Sequence, residues 1–276
     1  MRYHIVRMMG ANKKHHFGGS LSSVELVTAL YFYKMRYDPA NPRWEERDRF
    51  VMSKGHGVPT QYAALAMLGV IPMEELPNLK RLGSILQGHP NACMTPGIEA
   101  CTGSLGQGLS FANGIGLAAR LQGLPSRVYV LLGDGELHEG QVWEAAMGAV
   151  TQKLDMLVAL VDRNRLKSQG GVDEAKLLEP LPAKWRAFGW HTTVVDGHDL
   201  REICNALDEA ETVEGRPTAV IANTVKGKGI PLMEDRFQFH NAPISEEQLQ
   251  EAVERLAAGI DVAGSDVSGI DEELLR

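Results

Sequence analysis

Asp134 and Asn164 lie thirty residues apart, and each follows an apolar run: Arg127–Leu132 (RVYVLL) before the first, and Met156–Val161, ending at Asp162, before the second. Runs of this kind read as buried strands, and a thirty-residue spacing fits one strand–helix–strand crossover. In an open parallel sheet, ligands sit beyond the carboxyl ends of strands, so the two side chains can converge on one point. A carboxylate, an amide oxygen, a nearby backbone carbonyl and phosphate oxygens suit Mg²⁺, which takes oxygen ligands at about 2.0–2.1 Å in octahedral geometry. Gly133 and Gly135 flank Asp134 and let backbone approach an anion closely. The following helix N-terminus adds N–H donors and partial positive charge. Gly-Asp-Gly alone reads equally as a tight turn, with Asn164 a second turn residue. Gly-Asp-Gly-Glu followed by an apolar strand ending in Asp-x-Asn is more specific.

Four histidines stand in separate contexts: His16 in His-Phe-Gly-Gly-Ser, His56 in Ser-Lys-Gly-His-Gly, His89 in Gly-His-Pro and His240 in Phe-His-Asn-Ala-Pro. Imidazole changes charge near neutral pH and passes a proton either way, which suits chemistry on hydroxyls. Each also reads as a loop histidine capping a turn, and their contexts alone do not bring them together. Lys226-Gly-Lys-Gly-Ile230, after the last apolar run, is either a phosphate-binding loop or a solvated basic turn, and bare chemistry favours the turn.

The elements that must position these groups alternate in type. Gly18-Gly19 leads to Ser22 with Glu25 three residues on, a capping-box signal opening a helix through about Met35. Arg49–Ser53 is a strand candidate ending at Lys54-Gly55-His56-Gly57, and Pro59–Leu68 and Leu137–Thr151 read as helices. His191–Val195 and Thr218–Thr224 supply two more strands, and Ser245 with Gln248 is a second capping box, starting a helix to about Leu256. The alternation predicts an α/β fold, a mostly parallel sheet with helices on both faces. It occupies 1–260 as one domain, with the acidic segment 261–276 as a surface tail. Small residues recur four apart after the turn at 102–108 (Gly108, Ala112, Gly116; Ser110, Gly114, Ala118), which suits close helix packing in the core or across a subunit contact.

With 276 residues, 44% of them hydrophobic, the chain can hold itself together without disulfides or a structural metal. A net charge of −7 argues against nucleic acid or an anionic membrane as partner, so an anionic ligand needs local neutralisation. Cys93, Cys101 and Cys204 are odd in number and lack CxxC spacing, which disfavours a disulfide framework or zinc and fits a reducing compartment. Met1–Lys14 lacks the apolar core of a signal peptide, and no apolar run is long enough to span a bilayer; cytoplasm is the expected location.

The run Gly133-Asp134-Gly135-Glu136-Leu137-His138-Glu139-Gly140, continued at Asp162-Arg163-Asn164, resembles the thiamine-diphosphate motif of transketolases and their relatives. The resemblance implies the thiamine-diphosphate-binding fold. It makes Asp134 and Asn164 side-chain ligands, and Leu166 a carbonyl ligand, of Mg²⁺ (or Ca²⁺ or Mn²⁺). Gly133, Gly135, Glu136 and Asn164 then border the cofactor, and Glu139 is a catalytic residue at a subunit contact beside it. The four histidine contexts are also similar to the family's, which implies that His16, His56, His89 and His240 surround the cofactor's reactive carbon and the sugar hydroxyls. His138 is expected at the surface or behind the site. Thr102-Gly103-Ser104-Leu105-Gly106-Gln107-Gly108 resembles the family turn against the thiazolium and aminopyrimidine, implying cofactor contacts from Gly103, Ser104 and Leu105. A segment similar to Lys226–Ile230 precedes the late histidine of transketolases. Three departures stand out: Phe17 and Ser104 occupy positions where proline is common, and Ser168-Gln169-Gly170 replaces Ile-Asp-Gly.

The resemblance spans roughly His16–Pro243, the diphosphate-binding module. In transketolases the glutamate that hydrogen-bonds the cofactor's pyrimidine lies in a second domain, and no further run of strands and helices is read here to build it. The expected function is thiamine-diphosphate-dependent two-carbon ketol transfer between a ketose and an aldose, sugar phosphates or analogues. This chain would be the N-terminal subunit, and a separately encoded C-terminal, pyrimidine-binding subunit would complete an α₂β₂ heterotetramer. The α subunit of a 2-oxo acid dehydrogenase E1 component shares the metal motif and the two-chain design, but the sugar-type histidine contexts disfavour it. A non-catalytic nucleotide-binding or scaffold protein is the distant alternative.

Overall fold

Short runs of branched and apolar residues, buried on both faces, form the centre of the molecule. The computed structural model describes residues 1–258. Its strands are β1 (Arg49–Met52), β2 (Val128–Gly133), β3 (Leu157–Arg163), β4 (Leu166–Lys167), β5 (Gly170–Gly171), β6 (His191–Asp196) and β7 (Thr218–Asn223). Five of them form one sheet in the order β1-β2-β3-β7-β6, every pair parallel, while β4 and β5 make a small antiparallel hairpin. The helices are α1 (Arg2–Met9), α2 (Phe17–Leu21), α3 (Val24–Ala29), α4 (Val58–Met67), α5 (Gly108–Leu121), α6 (Gly140–Thr151), α7 (Val172–Ala175), α8 (Leu181–Ala187), α9 (Leu200–Thr212) and α10 (Glu246–Ala257).

Successive residues of a strand point to opposite faces, so one apolar run feeds two cores. Phe50, Tyr129, Leu131, Val158 and Val220 pack under α1 to α4 and α9. Val51, Val128, Val130, Ala159 and Ile221 pack under α5, α6 and α8. The expected mostly parallel sheet covered on both faces is therefore observed. Among the described residues no helix is long and apolar enough to cross a membrane.

Several local expectations are corrected. Ser22 caps no helix: its hydroxyl donates to the buried Asp162 carboxylate at 2.6 Å, and Glu25 is drawn to Arg2 and His198. A carboxylate is a stronger acceptor than a neutral partner, so the supposed box yields to two ion-centred contacts. The chain forms α2, turns at Ser22-Ser23, and continues through α3 into a π-helical turn ending at Lys34. The helix expected over Leu137–Thr151 is split, with a 3₁₀ turn at Gly135–His138, an extended Glu139 (φ −77°, ψ 127°) and then α6. Strand β3 runs to Arg163, one residue past the expected end at Asp162, which pairs with Gly133. Helix α1 was not expected; it buries Ile5, Val6, Met8 and Met9, a helical spacing hidden among polar neighbours.

The second capping box holds, Ser245 and Gln248 exchanging bonds at 2.9 and 3.2 Å. Of the two small-residue rows on α5, Gly108, Ala112 and Gly116 are buried, whereas Gly114 and Ala118 are exposed. The segment 261–276 lies outside the described residues.

Candidate active site

Because Gly133 and Asp162 are paired across β2 and β3, Asp134 and Asn164 leave adjacent strand ends together. Asp134 is 2% exposed and Asn164 6%. The Asp134 carboxylate accepts from the backbone N–H groups of Gly135 (2.8 Å) and Arg165 (2.5 Å). Burial and the nearby Asp162 raise it to about 7, against the opposing pull of two backbone N–H donors and the Lys226 charge, and among the described residues no cation forms an ion pair with it. Asn164 Nδ2 donates to Asp162 at 3.0 Å, which leaves its Oδ1 as the free-facing acceptor, touched by the Leu166 N–H at 3.2 Å. Asp134, Asn164 and Leu166 border one cavity of about 260 Å³.

A carboxylate, an amide oxygen and a carbonyl oxygen fit a hard divalent cation that shares its shell with phosphate oxygens. Among the described residues no three His, Cys, Asp or Glu side chains group as a metal cage.

Asp162, visible in the sequence only as a motif position without a role, organises this floor. Fully buried, it accepts from Ser22, Asn164 and Thr224 and pairs with the Lys54 ammonium. Burial alone would push its pKa up, but Lys54 and the hydroxyl donors outweigh that and hold it down. Lys54 also donates to the Gly19 carbonyl at 2.7 Å.

Glu136, expected beside the cofactor, borders the cavity but spends its carboxylate on the frame. It accepts from Ser53 (2.5 Å), the Gly106 N–H (2.9 Å) and the Gly133 N–H (3.0 Å), tying the β1 end, the turn at 102–108 and the Gly-Asp-Gly turn together. Within that turn Leu105 reaches the cavity, while Ser104 is exposed. Gly103 (φ +147°) lies against His89, where a Cβ would meet the ring at 3.0 Å. Gly106 (φ +86°) lies against Glu139, where a Cβ would meet the Glu139 Cβ at 2.7 Å. Glu139 itself is exposed beside this turn. His138 does point elsewhere, contacting the Lys176 carbonyl at 3.0 Å.

The four histidines converge. Ring centroids lie 5.1 Å apart for His16–His56, 5.0 Å for His56–His240, 5.4 Å for His16–His240 and 6.3 Å for His16–His89. Backbone pairing of His15 with Ala242 brings the first and last of these loops together. The Tyr62 hydroxyl, donating to the Gln87 (3.1 Å) or His89 (3.3 Å) carbonyl, holds the third. Burial, followed by neighbouring charges, takes His16 down to about 3 and His240 to about 4, and it also lowers His56 and His89. All four rings are thus neutral at pH 7.

Lys226 is buried, not part of a solvated turn. Its ammonium donates to the Leu166 carbonyl at 2.9 Å and reaches His240 Nδ1 at 3.4 Å, and burial lowers its pKa to about 8. An ammonium only donates, so His240 carries its proton on Nε2. Gly18 makes room for the lysine stem, since a Cβ there would meet Lys226 Cγ at 2.8 Å.

The family model described as transketolase, thiamine diphosphate binding domain, matches residues 1–264. The 6-deoxy-6-sulfo-D-fructose transketolase subunit SqwG of Clostridium sp. (strain MSTE9) is 48% identical over 241 residues, 87% of this chain and 88% of that protein. An apulose-4-phosphate transketolase subunit of Phocaeicola vulgatus is 41% identical over 260 residues, 94% of this chain and 92% of that protein. A solved transketolase variant from Pichia stipitis superposes with a TM-score of 0.86 at 34% identity; the match covers 91% of this chain but only 39% of that longer one.

Proposed function

This chain belongs to the transketolase family, as its thiamine diphosphate binding domain, and on that premise we propose that it transfers two-carbon ketol units from a ketose to an aldose together with a separately encoded second subunit. The observation that carries the reading is the meeting of His56 and His240 with Asp134, Asn164 and Leu166 at one cavity, with His16 packed against both rings and His89 against His16. Asp134 and Asn164, with the Leu166 carbonyl, would hold Mg²⁺ (or Ca²⁺ or Mn²⁺) against the cofactor's diphosphate. Gly133 and Gly135 let backbone come close, and Leu105, with Gly103 and Ser104, forms the turn beside the rings. When bound, thiamine diphosphate supplies the nucleophilic carbon and electron sink for breaking a carbon–carbon bond next to a carbonyl.

The chain's own residues do the rest. Held neutral, His16, His56 and His89 can each accept a hydroxyl proton, and His240 can donate from Nε2. Glu139, exposed beside the turn at 102–108, is the group offered to a partner. The relatives named as transketolase subunits support a two-chain enzyme, for which we propose an α₂β₂ assembly and sugar phosphates or sulfonated analogues as substrates. The decisive assay combines this chain with the second subunit, thiamine diphosphate, Mg²⁺, a ketose phosphate and an aldose phosphate. Two-carbon transfer is expected only with both chains present. Robust transfer by this chain alone would reject the divided enzyme, and decarboxylation of a 2-oxo acid in its place would favour the dehydrogenase reading.

A further inference from the structure

Lys80 adopts a left-handed backbone (φ +63°), a conformation that residues other than glycine seldom take. Its N–H donates to the Leu86 carbonyl at 2.9 Å, and its ammonium donates to the Lys14 carbonyl at 2.9 Å. Its stem lies across Gly88, where a Cβ would fall 2.9 Å from Lys80 Cε. The side chain therefore bridges two segments, one leading into His16 and the other into His89. It is exposed, and among the described residues it forms no ion pair.

The two buried lysines of the site are committed inside the protein, Lys54 to Asp162 and Lys226 to the Leu166 carbonyl and His240, while Lys167 borders the cavity on the far side, at the β4–β5 hairpin. With the histidines neutral, the Lys80 ammonium is a positive charge presented to solvent beside both His16 and His89, in a chain of net charge −7. Its field is felt there, since its charge helps to lower both histidines.

We propose that Lys80 binds the anionic end of the ketose, a phosphate or sulfonate, at the mouth of the histidine cluster. This rests on the ketol-transfer reading and extends it to the substrate's charged group. One contact goes to a neutral carbonyl, so the ammonium keeps donors for oxyanion oxygens. As a compact point charge it accepts either tetrahedral group without the fixed fork that arginine would impose.

The test compares wild type with K80M and K80R in the two-chain enzyme with thiamine diphosphate and Mg²⁺. The donors are D-fructose 6-phosphate, 6-deoxy-6-sulfo-D-fructose and D-fructose. Loss of a charge-assisted contact should raise KM for an anionic donor by about tenfold in K80M, with D-fructose unaffected and K80R restoring much of the loss. An equal rise for D-fructose, or no rise for any anionic donor, overturns the proposal.

A second measurement separates it from the functional reading. In this chain alone, inorganic phosphate should shift the ring NMR signals of His16 and His89 in wild type and not in K80M. If wild type shows no ketol transfer but keeps that shift, the functional reading fails while the anion site stands. If the shift is absent from wild type, or equal in K80M, the anion site fails.

Discussion

On the floor of the cavity, Asp162 gathers four side-chain partners: Ser22, Lys54, Asn164 and Thr224. Its wall carries His56 and His240, with His16 packed against both rings at 5.1 and 5.4 Å and His89 against His16 at 6.3 Å. The floor is built on adjacent ends of β2 and β3, whose register fixes Asp134 against Asn164. The wall is assembled from four chain segments that meet only after folding. The floor is thus a saturated polar network that costs much to disturb. On the wall His16, His56 and His89 are held without side-chain ion pairs among the described residues, and only His240 meets a charged partner, Lys226. Four perturbations test whether this division holds, and their expected sizes fall from floor to wall.

Asp162→Ala should be the most damaging. It leaves the Lys54 ammonium, 1% exposed, without its counter-charge, and breaking one partner of a buried pair costs about 3–5 kcal/mol. Urea unfolding reads this directly, and a loss below about 1 kcal/mol would show that the floor is not the stabilising network described. Asp134→Asn separates binding from folding. Thiamine diphosphate with Mg²⁺ at a hundredfold excess over Kd should stabilise wild type by about 2.7 kcal/mol, and the variant should lose that shift while still folding. A full ligand shift in the variant would remove Asp134 from the cation site.

The same contrast explains what the sequence disclosed. Two apolar runs, each closed by a polar residue, are local features, and parallel pairing converts them into spatial neighbours, so Asp134 and Asn164 were legible. His16, His56, His89 and His240 were visible as residues, but their meeting depends on the His15–Ala242 pairing and the Tyr62 anchor, which no spacing encodes. Lys54, Asp162 and Lys226 were harder still. A buried charge looks like a surface charge in sequence, and only the tertiary partners reveal it. Ser22 misled because its capping pattern is local, whereas the Asp162 acceptor it finds lies 140 residues away. Phe17, standing where proline is common, is fully buried in the core beside α1, a packing role that the motif did not announce.

The wall responds to pH. Unfolded histidine titrates at its ordinary value of 6.5, whereas folded His16 and His240 stay neutral down to about 3 and 4. As pH falls through 6.5 the unfolded chain takes up protons that the folded rings refuse, so stability drops progressively toward pH 4. Because the rings are partly open to solvent, the two together should account for about 1–2 kcal/mol of that loss, less than their full shifts imply. Thermal melts between pH 7 and pH 4.5 read the slope, and His16→Asn with His240→Asn should flatten it. An unchanged slope in the double variant would assign the acid sensitivity to other groups.

Gly19→Ala makes the smallest and most local change. A Cβ at this position would meet His56 Nε2 at 3.3 Å, tighter than most real contacts but short of a collision. The helical backbone of α2 accepts alanine readily, and replacing a helical glycine gains about 0.5–1 kcal/mol. This gain offsets the crowding, so global stability should change by less than about 1 kcal/mol. The ring has somewhere to go, because the wall is held by packing and a histidine without hydrogen-bond tethers yields a few tenths of an ångström. Catalysis is less forgiving, since small misplacement of a proton-transferring group lowers turnover out of proportion to its energetic cost. Reduced ketol transfer by the two-chain enzyme with unchanged melting and unchanged cofactor shift is therefore expected. Equal losses of stability and activity would mean that His56 is as rigidly built in as Asp162, and the distinction between floor and wall would not survive.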